Sequence, residues 1–349
     1  MKKIKLFLTL ATIVALVMFW GCGRKSENDI DKVKIAISPY QDIAMIVNIK
    51  NLGLEKKYNL NVELLTMSWE EILPAVASAG ETVDVGFGSL IEYLTKEENL
   101  NKDGDEVLFL YPAYIFKGGA FIAFKETVPN LDSNSLKDSS TLSDFLSYKI
   151  GAQKNSVYEM MIYSLANKAG LDFDDLKIFD ISLNDGILAL ESGSLDISTA
   201  GLTQRNEALK RGGRVVLTME DMGFADITGF ICKKTVYERK KTEIDNLIKM
   251  WFECVAYVMQ DIENNSKYSL DYLRKNSSTK YTKQQYKIAL SQEYFPLSIV
   301  EVKREIISED GKFSYKRIST DVSTYLFENK VVSRKSKIPV FPNIAEDIN

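Results

Sequence analysis

The chain has 349 residues, 45% of them hydrophobic and 26% charged, with 19 Gly and 7 Pro. That length accommodates two or three domains, and the composition excludes fibrous, collagenous and disordered chains. There is no histidine, which excludes a Ser-His-Asp triad, a Cys-His pair, an HExxH centre and any His-ligated metal, and the net charge of −4 argues against nucleic acid as a partner. No cofactor and no metal is expected.

Lys2, Lys3 and Lys5 precede an uncharged run over residues 6–20, and Gly21-Cys22-Gly23 then leads into Arg24, Lys25 and a polar stretch through Asp31. A positive start, an apolar stretch and a small residue before the break read as a secretory signal. A Cys directly after that small residue resembles the bacterial lipoprotein signal, in which the Cys is lipidated and becomes the mature N-terminus. Phe19 and Trp20 depart from that pattern, where Leu and a small residue are usual. The alternative is an uncleaved anchor, because residues 6–23 are just long enough to span a bilayer. The expected divisions are a signal peptide over 1–22, with Cys22 as the lipidation site, and a linker over 23–32. Removing the three signal lysines from 44 leaves 41 basic against 48 acidic side chains, a net of −7. No later segment has eighteen apolar residues, so the body is expected to be a soluble unit held outside the cytoplasmic membrane.

Along the body, strand-length apolar runs alternate with helix-periodic segments. Residues 33–38 read as a strand, 42–58 as an amphipathic helix, 62–65 as a strand, 69–79 as a helix, and 83–87 as a strand running into Gly88-Ser89. This βαβαβ pattern predicts a mostly parallel sheet with right-handed crossovers. Two strands with little helix between them follow at 107–111 and 120–124. A second series then runs as a strand over 148–152, a helix over 157–169, a strand over 176–181, a helix over 184–191, a strand over 195–199, a helix to about 211 and a strand over 215–219. Gly170, Gly193 and Gly212-Gly213 stand where helix-ending glycines belong. A strand over 228–233 precedes a largely helical tail, with helices over 267–276, 281–291 and 320–329 and an aromatic break at Tyr294-Phe295-Pro296. Cys232 falls in a strand and Cys254 in a helix, which favours two buried free thiols over a disulfide.

The two series resemble each other: Gly80-Glu81-Thr82-Val83-Asp84-Val85-Gly86 has its counterpart in Gly193-Ser194-Leu195-Asp196-Ile197-Ser198. Two similar α/β lobes with double crossovers near 113–120 and 220–228 describe a bilobal clamp. On Gly53-Leu54-Glu55-Lys56-Lys57-Tyr58-Asn59-Leu60-Asn61-Val62-Glu63, Val83-Asp84-Val85-Gly86, Lys149-Ile150-Gly151, Ala169-Gly170-Leu171, residues 188–196 and the amphipathic helix near 246–261, the sequence resembles the extracytoplasmic solute-binding proteins of ABC importers. The group is the SsuA/THI5-like one, which contains nitrate, alkanesulfonate, taurine and thiamine-pyrimidine-precursor binders, and the likeness covers about residues 33–260. It implies a type II periplasmic-binding-protein clamp of two mixed-sheet α/β lobes joined by two crossover segments. Lobe one would comprise 33–115 and 225–349, with the tail packed back on it, and lobe two 116–224. It implies a monomer with a small-molecule ligand, an ABC permease with its ATPase as partners, and attachment to the membrane through a lipid anchor.

In parallel α/β sheets, ligands sit beyond the carboxyl ends of strands. That rule selects Ser38 and Tyr40, Trp69, Ser89, Gln153, Asn155 and Ser156, Thr199 and Asp226 as ligand-binding candidates. Tyr40 and Trp69 offer flat apolar faces; Ser89, Asn155 and Ser156 precede helices, whose free N–H groups favour an anion. Each has a plainer explanation: the three polar residues as N-caps, Trp69 as packing between sheet and helix, Asp226 as solvated surface. Tyr111 and Tyr114 serve hinge packing or cleft lining equally well. Asp84 and Asp196 fix turns or hydrogen bonds rather than touch ligand.

The expected function is capture of a small molecule between two lobes for delivery to a permease. The selected loops hold aromatic, amide and carboxylate groups, with Lys154 as their lone cation, which favours a nitrogen heterocycle such as a thiamine pyrimidine precursor over an alkanesulfonate or taurine. A eukaryotic branch of the group makes the pyrimidine and consumes one of its own histidines, chemistry that a chain without His cannot perform, so no enzyme is expected. A ligand-sensing lipoprotein that signals to a membrane partner is the alternative.

Overall fold

The computed structural model describes residues 32–344 except 79–81, 102–103, 278–279 and 329. The expected signal peptide, Cys22 and nearly all of the linker lie outside the described residues.

Among the described residues, ten strands form two five-stranded sheets. In the first, β1 (Lys32–Ile37) lies between β2 (Asn61–Thr66) and β3 (Val85–Ser89), both parallel to it, and β10 (Asp226–Lys233) runs antiparallel between β3 and β4 (Val107–Phe116). In the second, β6 (Ile150–Ala152) lies between β7 (Ile178–Asp180) and β8 (Ile197–Ala200), both parallel to it, and β5 (Ala120–Ala123) runs antiparallel between β8 and β9 (Arg214–Thr218). The fourth strand of each sheet is therefore the one that has just arrived from the other. The chain passes between the sheets through residues 117–119 and 219–225, and each sheet with its helices is one lobe.

The repeat seen in the sequence has a physical counterpart. Asp84 accepts a hydrogen bond from the Lys34 backbone N–H at 2.8 Å and pairs with Lys240 at 2.9 Å. Asp196 accepts one from the Lys149 N–H at 2.9 Å and pairs with Lys125. Each aspartate pins the start of its lobe's central strand, the hydrogen-bonding task expected of both.

The sheets are mixed, as the resemblance implied, because the strand arriving from the other lobe runs against its neighbours while the βαβαβ strands are parallel. Two expectations need correction. Residues 42–58 do not form one helix: a 3₁₀ turn (Ala44–Val47) and two short helices (Asn48–Asn51, Leu54–Tyr58) share the segment, broken at Gly53, whose φ of +65° is open to glycine without strain. β4 runs on to Phe116 instead of stopping at Tyr111. It passes through Pro112, which an edge strand tolerates, here beside a register shift in its pairing with β10.

The helices that matter for the site are α1 (Trp69–Ala77), α2 (Leu90–Leu100), α3 (Val157–Ala169), α4 (Leu183–Glu191) and α5 (Leu202–Lys210). α3 begins at the Ser156 cap and ends at Gly170, whose φ is +71°; between them it buries Val157, Met161, Ile162 and Leu165. In the tail, α6 (Lys241–Gln260) sets the fully buried Trp251 against Phe87, with ring centroids 5.0 Å apart, on the first sheet. Tyr294 adds two backbone hydrogen bonds to Ile115, at 2.9 and 3.1 Å, just before the first crossover. α7 (Tyr315–Glu328) packs on α2 and reaches the second lobe through the ring contact of Tyr325 with Tyr163. Cys232 and Cys254 are free, buried thiols on β10 and α6. Among the described residues no helix is long and apolar enough to cross a membrane, and no cluster of His, Cys, Asp and Glu could hold a metal ion.

Candidate functional site

A cavity of about 70 Å³ lies between the lobes. The first lobe supplies Tyr40 and Asp42 from the loop after β1, Trp69 and Glu70 from the start of α1, Ser89 and Glu92 around the start of α2, Tyr114 and Phe116 from β4, and Asp226 and Thr228 from β10. The second supplies Gln153, Val157 and Tyr158 around the start of α3, and Leu183 at the start of α4. These are carboxyl ends of parallel strands, where helices begin. Asp226 joins them because β10 is antiparallel, so its first residue lies at the same end of the sheet as the last residue of β3.

Beside the cavity the lobes touch. Thr203 of α5 donates to Gln41 Oε1 at 3.2 Å, and Tyr281 from the tail donates to the same oxygen at 3.2 Å. The arrangement is thus a closed one, bridged by polar contacts whose partners come from both lobes.

The polar walls form two short networks. Asp226, 2% exposed, accepts the Ser89 hydroxyl on Oδ2 and the Ile91 and Ile227 N–H groups on Oδ1, the latter at 3.3 and 2.8 Å. Ser89 Oγ in turn accepts the Glu92 N–H at 3.1 Å, capping α2, and Glu92 accepts the Trp69 indole N–H at 3.1 Å. Across the cavity Asp42, 4% exposed, accepts the Tyr114 hydroxyl at 2.6 Å and the Ile43 N–H at 3.1 Å. The Trp69 and Tyr40 rings lie 6.3 Å apart at 37°.

Burial dominates the electrostatics. It pushes Asp226 up to about 7, helped by the negative charge of Glu92 and opposed by the Ser89 bond. Burial also pushes Asp42 up to about 6 in spite of Tyr114, and raises Glu92. Lys96 offsets Glu92 in part from outside the cavity, but no Lys or Arg stands among the described wall residues.

The structure brings Tyr40, Trp69, Ser89, Gln153 and Asp226 to one cavity. The other four candidates are not on the cavity: Ser38, Ser156 and Thr199 bond backbone groups, and Asn155 bonds a neighbouring carboxylate through its own N–H. Ser38 donates to Met67 O at 3.0 Å and joins the ends of β1 and β2. Ser156 caps α3, accepting the Tyr158 N–H at 3.2 Å and donating to Gln153 O at 2.6 Å. Asn155 occupies the left-handed region at φ +56°, its N–H donating to Glu159 at 2.7 Å. Thr199 donates to Gly151 O at 3.3 Å. Exposed Lys154, the one cation of the selected loops, is not on the cavity. Tyr111 lies in the core, whereas Tyr114 is a wall residue.

Sequence reasoning missed Asp42, Glu92 and Tyr158, which lie a few residues past the strand ends it examined. The same rule carried one turn into each following helix finds Tyr158; Glu92 also required recognising α2, which the sequence reading passed over.

No family model matches the chain, and no curated protein sequence matches it. Solved structures do. The chain is similar to the periplasmic aliphatic sulphonate binding protein SsuA from Escherichia coli, at 16% identity, a TM-score of 0.65 and coverage of 88% of this chain and 96% of that one. It is similar to the periplasmic nitrate-binding protein NrtA from Synechocystis PCC 6803, at 14% identity, 0.56, 88% and 93%. A Candida albicans gene product described as exhibiting the generic periplasmic binding protein structural fold is also similar, at 13% identity, 0.56, 90% and 100%. Likeness at these identities is likeness of fold: the chain has the two-lobed α/β fold of the periplasmic binding proteins.

Proposed function

We propose that the protein is the extracytoplasmic solute-binding component of an ABC importer, a binder and not an enzyme. The observation that carries this reading is the cavity between the lobes, walled by the strand ends of both sheets and bridged by Gln41, Thr203 and Tyr281. A solute touching both lobes stabilises the closed form through the contacts it makes only there, and the closed form presents one surface to a permease. Lobe one is assigned to 33–115 with 225–349, and lobe two to 116–224; the binder is assigned as a monomer, its partners a permease and an ATPase.

Ligand chemistry follows from the walls. Sulfonate and nitrate are anions and need concentrated N–H donors or positive charge. Three buried or half-buried carboxyls beside aromatic rings, with no basic side chain in the wall, support a nitrogen-bearing solute instead. Native mass spectrometry of the protein purified without denaturation from its own cells tests the reading: one small molecule per chain is the expected result, and an empty spectrum together with no thermal shift from pyrimidines, amines, sulfonates or nitrate would refute it.

Anchoring through a lipidated Cys22, with the body on the outer side of the cytoplasmic membrane, belongs to the same proposal. Cells fed radioactive palmitate should label the wild-type chain and leave Cys22→Ala unlabelled; equal labelling of both would contradict the anchor.

A further inference from the structure

We propose that the cavity selects a small organic cation, held by the faces of Tyr40, Trp69 and Tyr158 and by the carboxylates of Asp42, Glu92 and Asp226. This rests on the solute-binding reading and adds to it the charge and size of the solute.

The first observation is the pairing of wall types. Aromatic faces attract a cation through their quadrupoles, and quaternary ammonium groups are recognised this way in cages of such rings. Here the tilted Tyr40 and Trp69 rings stand beside carboxyls that burial holds in a costly environment. An organic cation removes that cost by supplying the missing positive charge without a hydration shell that must be stripped at great expense. A sulfonate would meet like charge on several sides.

The second observation is independent of the acids. Tyr158 is 7% exposed, and its hydroxyl, with no hydrogen-bond partner among the described residues, is not one of the buried polar atoms sealed from solvent. It borders both this cavity and an adjoining one of about 50 Å³. A hydroxyl that opens on a cavity instead of on a protein partner is free to pair with a polar group on the solute. The third is size. About 70 Å³ holds on the order of five waters, the scale of a small alkylammonium with a short polar arm rather than of a bicyclic heterocycle.

The experiment compares three probes of one shape class on the purified protein: choline, its neutral isostere 3,3-dimethyl-1-butanol, and ethanesulfonate, with tetramethylammonium as a cation lacking the arm. Binding is read by thermal shift and by tryptophan fluorescence, which Trp69 dominates at the cleft because Trp251 is sealed in the core. Choline should bind saturably and at least about tenfold more tightly than the isostere, and ethanesulfonate should not bind. Tyr158→Phe should weaken choline about tenfold and leave tetramethylammonium unchanged, which separates loss of the hydroxyl from loss of the fold. Isostere or sulfonate binding as tight as choline, or no response to either cation, overturns the proposal. A neutral or anionic molecule recovered by native mass spectrometry would also overturn it while leaving the solute-binding reading in place.

Discussion

Asp226→Asn is expected to make the empty protein more stable at pH 8 and to abolish most of its affinity for solute. Asp226 is almost wholly buried, and its carboxyl is moved from 3.8 to about 7 in the folded state. The sign follows from proton counting. Between those values the folded chain holds a proton that the unfolded chain has released, so this residue's contribution to stability is fully present below about pH 4 and is lost as pH rises through about 7. A displacement of that size bounds the loss at about 4 kcal/mol, and relaxation of a real site reduces it to about 1–3 kcal/mol. Asparagine keeps an oxygen for the Ile91 and Ile227 N–H groups and offers an N–H to Ser89 Oγ, so the cap on α2 survives without the charge. Melting curves of wild type and variant between pH 5 and 8 should diverge toward the alkaline end, with the variant higher. A variant less stable than wild type at pH 8 would show that the carboxylate holds the wall together. The trade of stability for a charged wall is the pattern expected where a group serves a ligand rather than the fold.

The second large effect is at the crossover. A Cβ on Gly118 would lie 2.4 Å from Glu293 Oε1 and 2.5 Å from Leu202 Cγ. Leu202 opens α5 of the second lobe and Glu293 belongs to the tail, so the added atom would meet side chains from both sides of the crossover. The neighbourhood is tightly occupied: Glu293 accepts the Lys117 N–H at 2.6 Å, and Arg205 donates to Gly118 O at 3.1 Å. Crowding of this kind costs about 1–3 kcal/mol, and opening the lobes relieves it. Gly118→Ala should therefore weaken solute binding by about tenfold or more through the population of the closed form, while far-ultraviolet circular dichroism and a cooperative melt are retained. Wild-type affinity in this variant would mean that closure does not compress the crossover.

The strand pattern, both crossovers and the paired roles of Asp84 and Asp196 were legible because each rests on short-range signals: apolar runs, helix-ending glycines, and an acid at the start of a strand. The break of residues 42–58 was not, since Gly53 within an amphipathic pattern reads as a tolerated helix glycine until its left-handed backbone, at φ +65°, is seen between two short helices. The site divides along the same line. The strand-end rule located Tyr40, Trp69, Ser89, Gln153 and Asp226, but it could not tell wall from support. Ser38 and Thr199 have the same local sequence character as wall residues and turn to backbone carbonyls only because neighbouring strands put those carbonyls within reach. Asp42 and Glu92 were hidden for a different reason. An acid near a helix start reads as an ordinary favourable charge, and only tertiary packing reveals that both are drawn away from water, Glu92 near Asp226 and Asp42 against the Tyr114 hydroxyl.

Small-angle X-ray scattering on one preparation, first with its solute bound and then after the solute is stripped, tests the central claim most directly. If the solute is held between the lobes and closes them, stripping should raise the radius of gyration and re-addition should restore it, with half-restoration at the dissociation constant found by titration. Identical scattering curves with and without a solute that binds one to one would contradict the account.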